Sequence, residues 1–281
     1  MKLRPSTGRR ILNGVVSLWA VGSALLGIAV LIWITAVVVI RGLGALNLSF
    51  FIHLPTPPGV LGGGLANAMV GTVILTLAAT LMAVPLGLLA GVFLAEFSED
   101  SKAADFSRFS ANVLMGMPSI IVGVFAYTLV VVPLGNFSGY AGALALAILM
   151  LPVVARTTED MLRLVPNTLR ESALALGVPR WKVTLAIVFR AAKAGLITGV
   201  LLAVARVSGE TAPLLFTALN SPYWFHSLGE PTPNLTVTIF DYAMSPYPDW
   251  QQKAWGASLL ITAGVLLITI LARYILREKK I

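Results

Sequence analysis

Two charged side chains stand where charge is costly. The stretch AGLITGVLLAVARVSGETAPLLFTAL, residues 194–219, is apolar over most of its length, yet Arg206 is its thirteenth residue of twenty-six and Glu210 follows four positions later. Taken as one bilayer-crossing helix, it places Arg206 near the midplane, with Glu210 one turn on and on the same face. A charge at that depth costs about 2.5–3.5 kcal/mol on insertion scales, so it marks a functional residue by default. The bland alternative is an intrahelical ion pair that hides both charges. Arg before Glu is the weaker order for such a pair, and two leucines would pack without the penalty. Chemically, a guanidinium fork matches two oxygens of a phosphate. A carboxylate beside it repels a fully deprotonated oxyanion such as sulfate. It accepts a hydrogen bond from the P–OH that phosphate keeps near neutral pH. The pair therefore reads as a filter for phosphate over sulfate.

Other chemistries find little material. There are no cysteines and only two histidines, His53 and His226, both in expected loops, so thiolate chemistry is excluded and no metal centre is expected. Ser208 near Glu210 raises the idea of an intramembrane hydrolase, but no His or Lys base falls within the spans. No G-x-x-x-x-G-K-[ST] phosphate cradle occurs, so the chain is expected to be non-catalytic and to bind no cofactor.

The elements that must position the pair follow from hydropathy. Of 281 residues 57% are hydrophobic and 11% charged, against roughly a quarter charged in soluble domains, so the expected fold is all-α and polytopic in a membrane. A basic tail, residues 1–10, precedes one membrane domain, 11–281. The first apolar run exceeds a signal-peptide core and reads as an uncleaved anchor. Spans are expected at 15–40, 68–95, 111–132, 139–155, 194–219 and 254–273. PLGNFSG at 133–139 serves as the turn of a tight hairpin. With six spans both termini share a side, and the basic residues divide as 17 on that side, 2 opposite and Arg206 buried, which places the termini in the cytoplasm. Tyr223, Trp224, Trp250 and Trp255 suit the outer interface. The pairs Gly87–Gly91 and Gly195–Gly199 suggest close helix packing.

The loop 156–193 is too long for a turn and too apolar for a linker. NTLRESALAL, Asn167–Leu176, follows Pro166, is filled with helix formers and ends at Gly177, while Pro179 prevents continuation. A short helix, a sharp turn and a second helix are expected. Glu171-Ser172-Ala173 followed by Gly177 and Ile187 resembles the EAA loop of ABC-importer permeases, with Ser172 for the usual Ala and Arg190 at a frequent Pro position. ARVSGETAPLLFTA at 205–218, MGMPSIIVGVFAY at 115–127 and the run 70–97 resemble, more specifically, the permeases of phosphate importers. The resemblance covers about residue 62 to the C-terminus.

It implies the type I ABC-importer permease fold in a bacterial inner membrane, with Arg206 and Glu210 in the translocation path. It implies a coupling helix around Glu171, Ser172, Ala173 and Gly177. The implied partners are a second permease subunit, an ATPase dimer that uses ATP and Mg, and an extracytoplasmic phosphate-binding protein. Permeases for molybdate, tungstate or sulfate and a gradient-driven transporter are the alternatives. An EAA-like loop argues against the gradient-driven one, which has no ATPase to dock.

Overall fold

The computed structural model describes residues 7–98 and 101–275; the first six residues of the expected tail, and Arg277, Lys279 and Lys280, lie outside them. The described chain is helical, with no β-strand beyond one isolated bridge between Pro55 and Gly63. The helices are α1 (Thr7–Leu43), α2 (Leu48–Ile52), α3 (Ala66–Phe97), α4 (Lys102–Gly116), α5 (Ser119–Leu134), α6 (Gly139–Arg163), α7 (Asn167–Ala175), α8 (Arg180–Val207), α9 (Ala212–Leu215), α10 (Leu235–Ala243) and α11 (Pro248–Ile275).

Among the described residues, α1, α3, α6, α8 and α11 are the five helices long and apolar enough to cross a bilayer; a sixth crossing requires counting α4 and α5 together. That pair corrects the expected continuous span at 111–132, because its two halves meet at a bend of 103°. The cause is Pro118. It has no N–H to give the helix, and its ring forces the preceding residue out of the α region. Met117 accordingly sits at φ −76°, ψ 135°. Helices α6 and α8 are also longer than expected and take up most of the 156–193 loop, leaving α7 between short connections.

Helix α6 is the centre. Its strongest partner is α3, whose residues Leu75, Ala79, Ala83, Gly87 and Gly91 recur every fourth position and are all buried. This stripe is small because α6 is close. A Cβ on Gly87 would lie 2.8 Å from the Val154 side chain, and one on Gly91 would lie 2.4 Å from Thr158 Cβ. On the other side of α6 a Cβ on Gly195 of α8 would meet Met161 at 2.4 Å, and one on Gly199 would meet Thr157 at 3.0 Å. In lipid, where apolar side chains gain little by leaving their surroundings, close van der Waals contact of this kind drives helix association. Both glycine pairs thus clamp the same central helix. The outer sides of α1 and α3 expose Leu, Ile and Val side chains such as Leu26, Ile32, Leu81 and Leu89, a lipid-facing pattern.

Candidate functional site

Helix α8 does not run on to residue 219. It ends at Val207, and Ser208, Gly209 and Glu210 fold into a turn. Ser208 N–H donates to the Val204 carbonyl at 3.0 Å, Gly209 N–H to Arg206 O at 3.3 Å and Glu210 N–H to Val207 O at 3.1 Å. Pro213 favours the break, since it has no N–H to give the Gly209 carbonyl and its ring crowds that carbonyl, although Pro85 and Pro152 are carried inside α3 and α6. The expectation that Arg206 and Glu210 lie one turn apart on a continuous helix is therefore corrected. Arg206 is on the last turn of α8, where the negative end of the helix favours a cation. Glu210 is in the irregular segment beyond it.

The break is held from two sides. The Thr236 hydroxyl at the start of α10 donates to the Glu210 carbonyl at 3.0 Å, and Thr236 is itself buried. From α5, Gly123 lies so near α9 that a Cβ there would come within 2.6 Å of Pro213 Cα. Arg206 is exposed and Glu210 half-buried. Among the described residues neither side chain forms an ion pair, with the other or with a third group.

Helix α7 begins after Pro166 and closes with a Schellman turn. Gly177 N–H donates to Leu174 O at 2.9 Å and Val178 N–H to Ala173 O at 3.2 Å, with Gly177 at φ +80°. No atom lies within 4 Å of where a Gly177 Cβ would stand, so glycine is needed there for its backbone angle and not for space. Glu171 and Ser172 are exposed, as are Leu169, Leu174 and Leu176. Ala173 faces inward onto a core that includes Ala95, Leu162, Val165, Val183 and Val188.

A charge cluster at the same end was not expected. Glu159 on α6, with 1% of its side chain exposed, accepts from Arg108 of α4 at 2.7 Å and from Arg156 at 3.2 Å, and forms an ion pair with Arg163 at 3.0 Å. The positions of Arg156 and Arg163, three before and four after Glu159, are the one signal the sequence offered. Arg108 adds a hydrogen bond to the Leu94 carbonyl at 3.2 Å, in the π-helical end of α3, and Arg170 of α7 pairs with Glu96 two residues on. At the opposite end of α3, a cleft of about 580 Å³ opens beside Asn67, between Pro55–Pro58, Asn220–Tyr223, Asp241 and Trp250. Among the described residues no cluster of His, Cys, Asp and Glu is arranged to hold a metal ion.

Residues 83–280 match the family described as binding-protein-dependent transport system inner membrane component. The chain is 48% identical over 272 residues to the phosphate transport system permease protein PstA of Yersinia pestis, covering 97% of this chain and 92% of that one. It is 44% identical to the PstA of Xylella fastidiosa strain 9a5c, with 97% and 95% covered. An inward-facing structure of the MetNI methionine ABC transporter superposes with a TM-score of 0.61 at 20% identity, over 76% of this chain and 94% of that one. With its long apolar helices, the chain belongs to the PstA family of phosphate transport system permease proteins, multi-pass components of binding-protein-dependent inner-membrane transport systems.

Proposed function

We propose that this chain is the membrane-spanning permease subunit of an ATP-driven importer that carries inorganic phosphate into the cytoplasm, with Arg206 and Glu210 lining its path. The observation that carries the reading is the break after Val207, which leaves a guanidinium and a carboxylate without an ion pair among the described residues, inside an otherwise apolar stretch. Arg206 draws phosphate by charge and by its two parallel N–H donors. Glu210 takes the proton-bearing oxygen. Sulfate brings no such proton and meets carboxylate against oxyanion, so the site discriminates by repulsion as well as by attraction.

The chain itself binds no nucleotide, and ATP with Mg is used by a partner ATPase dimer. Helix α7, with Glu171 and Ser172 exposed beside Leu169, Leu174 and Leu176, offers an amphipathic surface for a groove on that ATPase. A PstC-like second permease completes the path, and an extracytoplasmic phosphate-binding protein delivers the solute. Both termini and α7 lie on the cytoplasmic side, in keeping with the basic residues gathered there. Closure and opening of the ATPase dimer displace α7, and the helices alternate between outward and inward access. A gradient-driven carrier would have no use for α7.

Two results test this reading. In vesicles holding the complete transporter, Glu210→Gln is expected to raise inhibition of phosphate uptake by sulfate about tenfold, because the repulsive element is removed. An unchanged phosphate-to-sulfate preference would remove Glu210 from the filter. Gly177→Val forces a β-branched residue to φ +80° and costs about 1–2 kcal/mol at the turn. Transport-linked ATPase activity should fall several-fold with the complex still assembled. Full substrate-stimulated ATPase activity would separate α7 from coupling.

A further inference from the structure

Helix α7 is attached to the rest of the chain by little. Of its nine residues Ala173 alone is buried, and the largest polar attachment is Arg170. That guanidinium grips Glu96 with Nη2 at 2.7 Å and Nε at 3.1 Å from Oε1, and Nε at 3.3 Å from Oε2. It also donates to Leu162 O at 2.7 Å, to Val165 O and to Asn167 Oδ1. The side chains are 17% and 9% exposed, so water competes weakly for the pair. One side chain therefore ties α7 to the exit of α6 and to the end of α3.

The far end of this tie is a distinctive piece of backbone. Glu96 belongs to the π-helical turn Phe93–Phe97, where the α-helical hydrogen bonding of α3 is interrupted. Two residues earlier the Leu94 carbonyl receives Arg108 at 3.2 Å and Arg163 at 3.5 Å, the same arginines that hold Glu159. A push on Glu96 thus arrives where α3, α4 and α6 are tied together. Pro166 and the Gly177–Pro179 turn bound α7, so it can shift as a short rigid piece.

We propose that the Arg170–Glu96 pair is the joint through which displacement of α7 reaches α3, making Arg170 a positioning residue for transport that touches neither solute nor nucleotide. A two-pronged, half-dry guanidinium–carboxylate contact resists sliding, which a single ammonium contact would not. This inference rests on the reading of α7 as the surface that meets the ATPase.

The test is a double-mutant cycle on the assembled transporter in vesicles, with phosphate uptake and ATP hydrolysis measured on the same sample. Glu96→Gln and Arg170→Gln are each expected to lower phosphate carried per ATP about tenfold, with basal hydrolysis within about twofold of wild type. The double variant should lose no more than either single one, since both break one contact. Arg170→Lys should fall between, and it serves as the single variant should Arg170→Gln fail to assemble. Wild-type phosphate per ATP in the single variants, or losses that multiply in the double, would overturn the joint. Wild type run alongside separates the two claims. A wild-type complex that hydrolyses ATP without moving phosphate contradicts the proposed function, whereas an active wild type with unaltered variants contradicts the joint alone.

Discussion

Arg206→Gln is expected to abolish phosphate uptake while the complex assembles at wild-type levels. Arg206 is exposed and makes no ion pair among the described residues, so its removal leaves no buried charge stranded and disturbs little of the packing. What is lost under the proposed function is the contact to the solute. A hydrogen bond to a charged group contributes about 1.5–3 kcal/mol, and the fork supplies two. Loss of both lowers uptake by about 100-fold or more, since each ~1.4 kcal/mol is a factor of ten. Arg206→Lys keeps the charge but not the fork and should retain a small part of the activity. Initial rates of radiolabelled phosphate uptake check this directly. Wild-type rates in the glutamine variant would take Arg206 out of the path.

The second large effect concerns stability and falls at the other end of the molecule. Glu159→Gln leaves Arg108, Arg156 and Arg163 around a neutral amide, with 18%, 39% and 48% of their side chains exposed. Removing one member of a buried charge pair costs about 3–5 kcal/mol when the remaining charge stays dry. Here two of the three arginines can reach water, which reduces the cost to about 2–3 kcal/mol. For a chain of this length that lowers Tm by roughly 5–10 °C. Arg163→Gln, which removes a half-exposed partner and leaves Glu159 with two others, should cost under about 1 kcal/mol. Thermal unfolding of the purified protein compares them. Equal damage from both substitutions would mean that Glu159 is not the centre of the cluster.

What could be read in advance follows from the range of the interactions. The helix Asn167–Ala175 and its stop were legible because they are local. Pro166 bounds the start, Gly177 supplies the left-handed angle and Pro179 bars continuation. The glycine pairs Gly87–Gly91 and Gly195–Gly199 were legible as packing surfaces, though their common target on α6 was not. The two breaks at Met117–Pro118 and Ser208–Thr211 were missed because an apolar run was counted as a span by length. Pro118 and Pro213 were both in view, and each weakens a helix through its site, but Pro85 and Pro152 lie inside α3 and α6, so a proline alone does not mark a break. Hydropathy measures solubility in lipid and is blind to whether the backbone is continuous. Arg170 and Glu96 are 74 residues apart, and Arg108 and Glu159 are 51 apart, so only the folded chain brings them together.

The consequence of the break is chemical. On a continuous helix Arg206 and Glu210 would lie within reach of each other, and a sealed pair would explain both. Ending α8 at Val207 places Glu210 on a turn fixed by Thr236 and leaves Arg206 on the last helical turn. Two opposite charges held apart offer a donor fork and a separate acceptor, which is what a hydrogen-bearing oxyanion requires.

That claim meets its sharpest test in vesicles carrying the assembled transporter and its binding protein, where labelled phosphate uptake is measured against unlabelled phosphate, sulfate and molybdate. ATP-dependent uptake that unlabelled phosphate suppresses and a hundredfold excess of sulfate leaves nearly untouched is the expected result, in line with a site built to reject an oxyanion without a proton to donate. Equal suppression by sulfate, or uptake that continues without ATP, would contradict it.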